Sequence, residues 1–186
     1  MTGKLTIAHP IHEAVGQCIK AVCEERGLQC FLDPACGGTR HLSLFSGSRA
    51  RATRTCNVDA LVVIGGKVRL VIEIEESNIK PTQILGKFLT TAFSEHFMND
   101  KLLGRNGLIP LSDCSFLQIA YTGNLSKRSQ KPNQLLLLRD RIKSKLPLPP
   151  MANYGLVMVP DWKTAGRQVM EVLQRLLEHS SKSSDK

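Results

Sequence analysis

Apolar residues recur every three or four positions along "PIHEAVGQCIKAVCEERG". Ile11, Val15, Cys18, Ile19 and Val22 share one face there, and Glu13, Gln17, Lys20 and Glu24 the other. That period predicts a first helix, stopped at Gly27. A short strand is expected in "HLSLFS", and the rest of residues 34–58 reads as basic loop, with glycines and no acidic residue. Two apolar runs, "CNVDALVVIG" and "KVRLVIEIEE", meet at Gly65-Gly66 and predict paired strands. The helical period returns in "NIKPTQILGKFLTTAFSEHF", with Pro81 suited to the first turn and a buried stripe of Ile84, Leu85, Phe88, Leu89, Ala92, Phe93 and Phe97. A strand in "SFLQIAYTG", a helix in "NQLLLLRDRIKSKL", a strand in "YGLVMVP" and a helix in "DWKTAGRQVMEVLQRLLEH", N-capped by Asp161, complete the pattern. The expected fold class is α/β, a mixed sheet covered by helices. A single domain over residues 1–180 is expected, with a polar, disordered tail at 181–186.

The register of the strand pair decides where its acids fall. A two-residue loop would pair Ile64 with Lys67 and give two mixed faces. A three-residue loop, Gly65-Gly66-Lys67, pairs Ile64 with Val68. One face then holds Val58, Ala60, Val62, Ile64, Val68, Leu70, Ile72 and Ile74. The other puts Asp59 across from Glu73 and Asn57 across from Glu75. Directly opposed side chains have Cβ atoms about 4.5–5.5 Å apart, and like charges so placed repel. A divalent cation that prefers hard oxygen ligands removes the repulsion, and Mg²⁺ is the natural choice. Glu76 reads as a solvated strand end.

Composition adds a partner class. The 186 residues carry 25 Lys+Arg against 16 Asp+Glu, a net charge of +9, which favours an acidic partner such as nucleic acid. No apolar run approaches the roughly 20 residues of a membrane span, and the first residues lack a signal-peptide core. Six cysteines without a C-x-x-C pair read as reduced thiols in a cytoplasmic protein rather than as a zinc site.

Asp59 on one strand and "EIE" (73–75) on the next, between two helices, resemble the PD-(D/E)-x-K nuclease superfamily with its restriction-endonuclease-like fold. "NVD" stands where that superfamily has Pro-Asp, and Glu75 where it has Lys, an E-x-E form similar to that of some Type II restriction endonucleases. The resemblance implies an αβββαβ core, here with an extra αβα. It implies a Mg²⁺-dependent endonuclease that hydrolyses phosphodiester bonds of double-stranded DNA and leaves 5′-phosphate ends. The metal ligands it implies are Asp59, Glu73 and the carbonyl of Ile74. Glu75 would act on the attacking water or a second metal. Lys87 or Lys80, on the second helix, would supply the missing positive charge, and Glu13 or Glu24 an extra carboxylate. Phosphate contacts are expected from Arg49, Arg51 and Arg54 before the acidic strand, from Lys80 and Gln83, and from Lys127 and Arg128, with Lys131 beside them. Such a chain would act as a homodimer, or as a small catalytic subunit beside a larger DNA-recognition subunit. A repair or phage nuclease of the same fold and a non-catalytic nucleic-acid-binding module are the competing readings.

Overall fold

The computed structural model describes residues 9–48, 50–77, 79–98 and 107–182. In chain order the elements are α1 (Pro10–Glu25), β1 (Gln29–Leu32), β2 (Leu42–Phe45), β3 (Arg54–Val58), β4 (Ala60–Ile64), β5 (Lys67–Glu75), α2 (Pro81–Ala92), β6 (His96–Met98), β7 (Leu108–Tyr121), α3 (Lys131–Lys143), β8 (Met151–Val159) and α4 (Trp162–Lys182). Short 3₁₀ turns at Pro34–Cys36 and Arg51–Thr53 punctuate the basic segment. The protein is α/β, as expected. One mixed sheet runs β1-β4-β5-β7-β6-β2-β3, with β8 also on β7. Its β5, β7 and β8 are mutually parallel and its other pairings antiparallel.

Helices cover both faces. From β5, Leu70, Ile72 and Ile74 pack with Ile11, Val15 and Ile19 of α1 and Val169 and Leu173 of α4. Val71, one step out of phase, packs with Phe88 of α2 and Ile142 of α3. A strand buried on both faces reads as a nearly unbroken apolar run, and "KVRLVI" does. Glu73 and Glu75 share the phase of Val71, so they lie beneath α2. Asp161 accepts from the Lys163 N–H at 3.1 Å, the cap expected of it. The tail beyond residue 182 lies outside the described residues.

The strand pair departs from expectation at both ends. The turn has two residues, Gly65 and Gly66, both at positive φ (59° and 73°), and pairs Ile64 with Lys67. Glycine accepts that backbone without penalty, as a primed turn requires. A bulge then inserts Arg69, so Val63 pairs with Val68 but Val62 with Leu70. Beyond the bulge the register is the expected one, with Ala60 opposite Ile72. The bulge transfers Val68 to the α2 side of the sheet. Arg69 is buried and donates to Ser112 O at 2.9 Å and to Asp113 Oδ2 at 3.1 Å.

At the other end the single expected strand is two. Asp59 interrupts it: its N–H bonds Ile72 O at 3.2 Å, and its carbonyl accepts from Asp33 N at 2.9 Å. β3 then pairs with β2, so Asn57 faces Ser43 and not Glu75. Val58 accordingly packs in the α2-side core, not with Ala60 and Val62.

The second helix ends five residues early. Glu95 N bonds Phe45 O at 2.8 Å, and Leu111 N bonds Glu95 O at 2.7 Å. This draws the chain into β6. Phe97 is buried there as a strand residue, and Phe93, past the helix end, is 67% exposed.

Candidate functional site

The acids gather at the carboxyl end of β5, where it runs parallel to β7. Such strand ends are the usual ligand sites of open α/β sheets. Asp59 is held by its strand break and by the Ile74 N–H, which donates to Oδ2 at 2.7 Å. One residue's N–H and C=O point to the same side of a strand, so the Ile74 carbonyl also faces Asp59. Asp59 Oδ1 is left facing His12 Nε2 of α1, 3.7 Å away.

Glu73 is almost fully buried, its side chain 1% exposed. Its Oε2 accepts from Lys87 Nζ at 2.7 Å, and its Oε1 is buried with no hydrogen-bond partner. Burial, and then the neighbouring Asp59, push the Glu73 carboxyl up to about 8, even with Lys87 pulling the other way. Lys87 Nζ also lies 2.7 Å from Glu75 Oε1. Burial alone would lower the Lys87 pKa, but Glu73, Glu75 and Asp59 more than offset it and hold the ammonium above its ordinary value. Gln83, one turn earlier, donates Nε2 to Glu75 Oε2 at 2.8 Å.

Lys87 and Gln83 of α2 therefore enter the acidic site together, at the i, i+4 spacing that puts both on one helix face. Gln83 spends its amide on Glu75, where sequence spacing had assigned it to phosphate. Glu75 thus has Gln83 on one oxygen and the Lys87 ammonium beside the other.

Lys80 caps α2 from an exposed position, and its carbonyl, not its side chain, meets the site by accepting from the Gln83 N–H at 3.0 Å. Glu13 and Glu24 lie elsewhere on α1, beside Gln17 and Lys20. Besides Asp59, the acid that α1 meets is Glu76. Its Oε1 accepts from the Ile11 and His12 N–H groups at the helix start, and His9 Nδ1 lies 3.1 Å from its Oε2. Glu76 is a helix cap, not a solvated strand end. Among the described residues, the only set of three His, Cys, Asp or Glu side chains close enough to share an ion is His9, His12 and Glu76.

Of the basic residues, Arg49 lies outside the described residues. Arg51 and Arg54 are exposed. Arg54 begins β3 and stands five residues from Asp59, roughly 16 Å along an extended chain. Lys127 and Arg128 are exposed in the turn between β7 and α3, at the same end of the sheet as the acids.

Sequence reading missed Gln118 on β7. It pairs in register with Glu73, is fully buried, and has no hydrogen-bond partner on either amide atom. A lone polar residue inside the apolar "SFLQIAY" was the available signal.

No protein-family model, curated protein or solved structure matches this chain significantly. Among the described residues, no helix is long and apolar enough to cross a membrane.

Proposed function

We propose that the protein is a Mg²⁺-dependent DNA endonuclease with a restriction-endonuclease-like core, acting as a Type II restriction endonuclease or as its small catalytic subunit. One observation carries this reading. Lys87 reaches from α2 to the carboxylates of Glu73 and Glu75, delivering the cation that the E-x-E strand itself lacks.

The donor set fits the metal. Glu73 Oε1 is a buried carboxyl oxygen with no hydrogen-bond partner, and the Asp59 carboxylate lies near enough to help push the Glu73 carboxyl upward. Two carboxylates with open water positions suit Mg²⁺ better than a closed cage does. Asp59 and Glu73 would hold the ion, with the Ile74 carbonyl on the same side. Bound there, Mg²⁺ supplies Lewis acidity toward the scissile phosphate and a more acidic water.

The chain's own groups do the rest. Lys87 stays cationic at neutral pH, so it orients the attacking water or a phosphate oxygen and does not take a proton. Glu75 and Gln83 are positioning residues that fix Lys87. Lys127 and Arg128 grip backbone phosphates at the acidic end of the sheet. Arg51 and Arg54 reach phosphates several base pairs from the cut. Double-stranded DNA is the substrate, and cutting both strands requires a homodimer or a larger recognition subunit.

The test is plasmid DNA incubated with the protein in Mg²⁺ or in EDTA, beside Glu73→Gln. Mg²⁺-dependent fragments absent from the variant are expected. DNA that is shifted on a gel but left intact by both proteins would replace catalysis with binding.

A further inference from the structure

The cluster at the start of α1 is not used by this chemistry. We propose that His9, His12 and Glu76 form a second metal centre, for a divalent transition metal such as Zn²⁺, beside the acidic pair and distinct from it.

Three observations carry the assignment. First, the ligating atoms of the three residues lie within 4.8 Å of one another. His9 Nδ1 and His12 Nδ1 stand 3.1 and 3.3 Å from Glu76 Oε2. Zinc bonds of about 2.0–2.1 Å in a tetrahedron place neighbouring ligands roughly 3.3 Å apart.

Second, His12 Nδ1 is buried and makes no hydrogen bond although the carboxylate is that close. Nδ1 is free to ligate when the ring proton sits on Nε2, which lies 3.7 Å from Asp59 Oδ1. Carboxylate, imidazole and metal in that order are the usual arrangement of a metal-bound histidine.

Third, the carboxylate is preset. Glu76 Oε1 is tied to the first N–H groups of α1, which turns Oε2 toward the two imidazoles. Two nitrogens and one oxygen suit zinc, cobalt or nickel and not Mg²⁺.

Three protein ligands leave a position open. A cavity of about 330 Å³, lined by His9, Glu76, Ser77, Tyr121 and Asn124 among others, borders the cluster. The centre ties the start of α1 to the end of β5, and through His12 it touches Asp59. It stands on its own geometry, whether or not Asp59 and Glu73 cut DNA.

The experiment is calorimetric Zn²⁺ titration of untagged full-length protein, with Co²⁺ as an optical probe, for wild type, His9→Ala and Glu73→Gln. His9 has a side chain 57% exposed, so its removal leaves the fold intact. One equivalent of Zn²⁺ is expected in wild type and in Glu73→Gln. His9→Ala should weaken binding by at least the ~10–100-fold typical of losing even an outer-shell partner. Zn²⁺ should raise the thermal midpoint of wild type and not of His9→Ala. Co²⁺ should give visible d–d bands without thiolate charge transfer.

No Zn²⁺ uptake, or unchanged affinity in His9→Ala, overturns the proposal. Binding lost in Glu73→Gln but kept in His9→Ala assigns the ion to the acidic pair instead. Thiolate bands assign it to the free cysteines, and either result also overturns the centre. None of these readouts involves DNA, so a failed nuclease assay and a failed metal centre are told apart.

Discussion

Replacing Glu73 with glutamine should make the metal-free protein more stable, and increasingly so as the pH rises. Glu73 keeps its proton in the folded state up to about 8, against an ordinary 4.5. The folded pKa of this acid is raised, so the unfolded chain releases the proton first. Its effect is absent below about pH 4.5, grows as pH rises through the interval and levels off above about pH 8. At about 1.36 kcal/mol per tenfold change in proton affinity, the full difference is on the order of 5 kcal/mol, with about 3 kcal/mol already present at pH 7. Glutamine keeps the shape and never ionises, so the variant lacks this loss. Lys87 loses one carboxylate in the variant but keeps Glu75, and its side chain is 31% exposed to water. The assay is urea unfolding in EDTA at several pH values between 4.5 and 8.5. Wild type should fall behind Glu73→Gln across that range, and Mg²⁺ should recover part of the deficit in wild type alone. Parallel stability curves for the two proteins would show that Glu73 ionises freely in the fold, and the account of the buried acid would be wrong.

Other expectations are simpler. Lys87→Met should lower DNA cleavage by roughly 100–1,000-fold, the usual loss for one aimed cationic or hydrogen-bond donor, measured as single-turnover rates in saturating Mg²⁺. The two phenylalanines near the end of α2 should behave oppositely in thermal melts. Phe97→Ala should cost about 3–5 kcal/mol, whereas Phe93→Ser should change stability by no more than about 0.5 kcal/mol. Asp161→Ala should cost about 1 kcal/mol through loss of the α4 cap, read by chemical denaturation.

The elements that declared themselves in the sequence are those whose partners are local. The 3.6-residue period of α1 and the Pro81 start of α2 need no tertiary information, and both stand where the pattern puts them. That Asp59 lies near Glu73 was legible because an apolar face constrains register, although the residue pairing itself stops at Ala60 and Ile72. What was hidden depends on distant chain. β1 is four residues long with no buried member, so it left no alternating pattern. Phe93 and Phe97 continue the helical stripe in sequence, but Phe45 and Leu111 capture the backbone between them, and no local signal reports that. The entry of Lys87 into the site was one of two options by spacing. The packing of α2 over β5 separates them, since Lys80 sits before the helix begins. Glu76 looked solvated because the helix start it caps lies more than sixty residues earlier in the chain.

The bulge at Arg69 makes the acidic end of the sheet indifferent to its own turn. Pairing leaves Gly65-Gly66 in one register and reaches Asp59 in another, and a single residue absorbs the difference. A chain that gained or lost a residue at the turn has a place to compensate before the change reaches the acids. Variation in loop length and preservation of the carboxylate pair can therefore coexist in one hairpin, and a designer could shorten or extend the turn while retuning only position 69. The two halves of this hairpin are free to change on separate schedules.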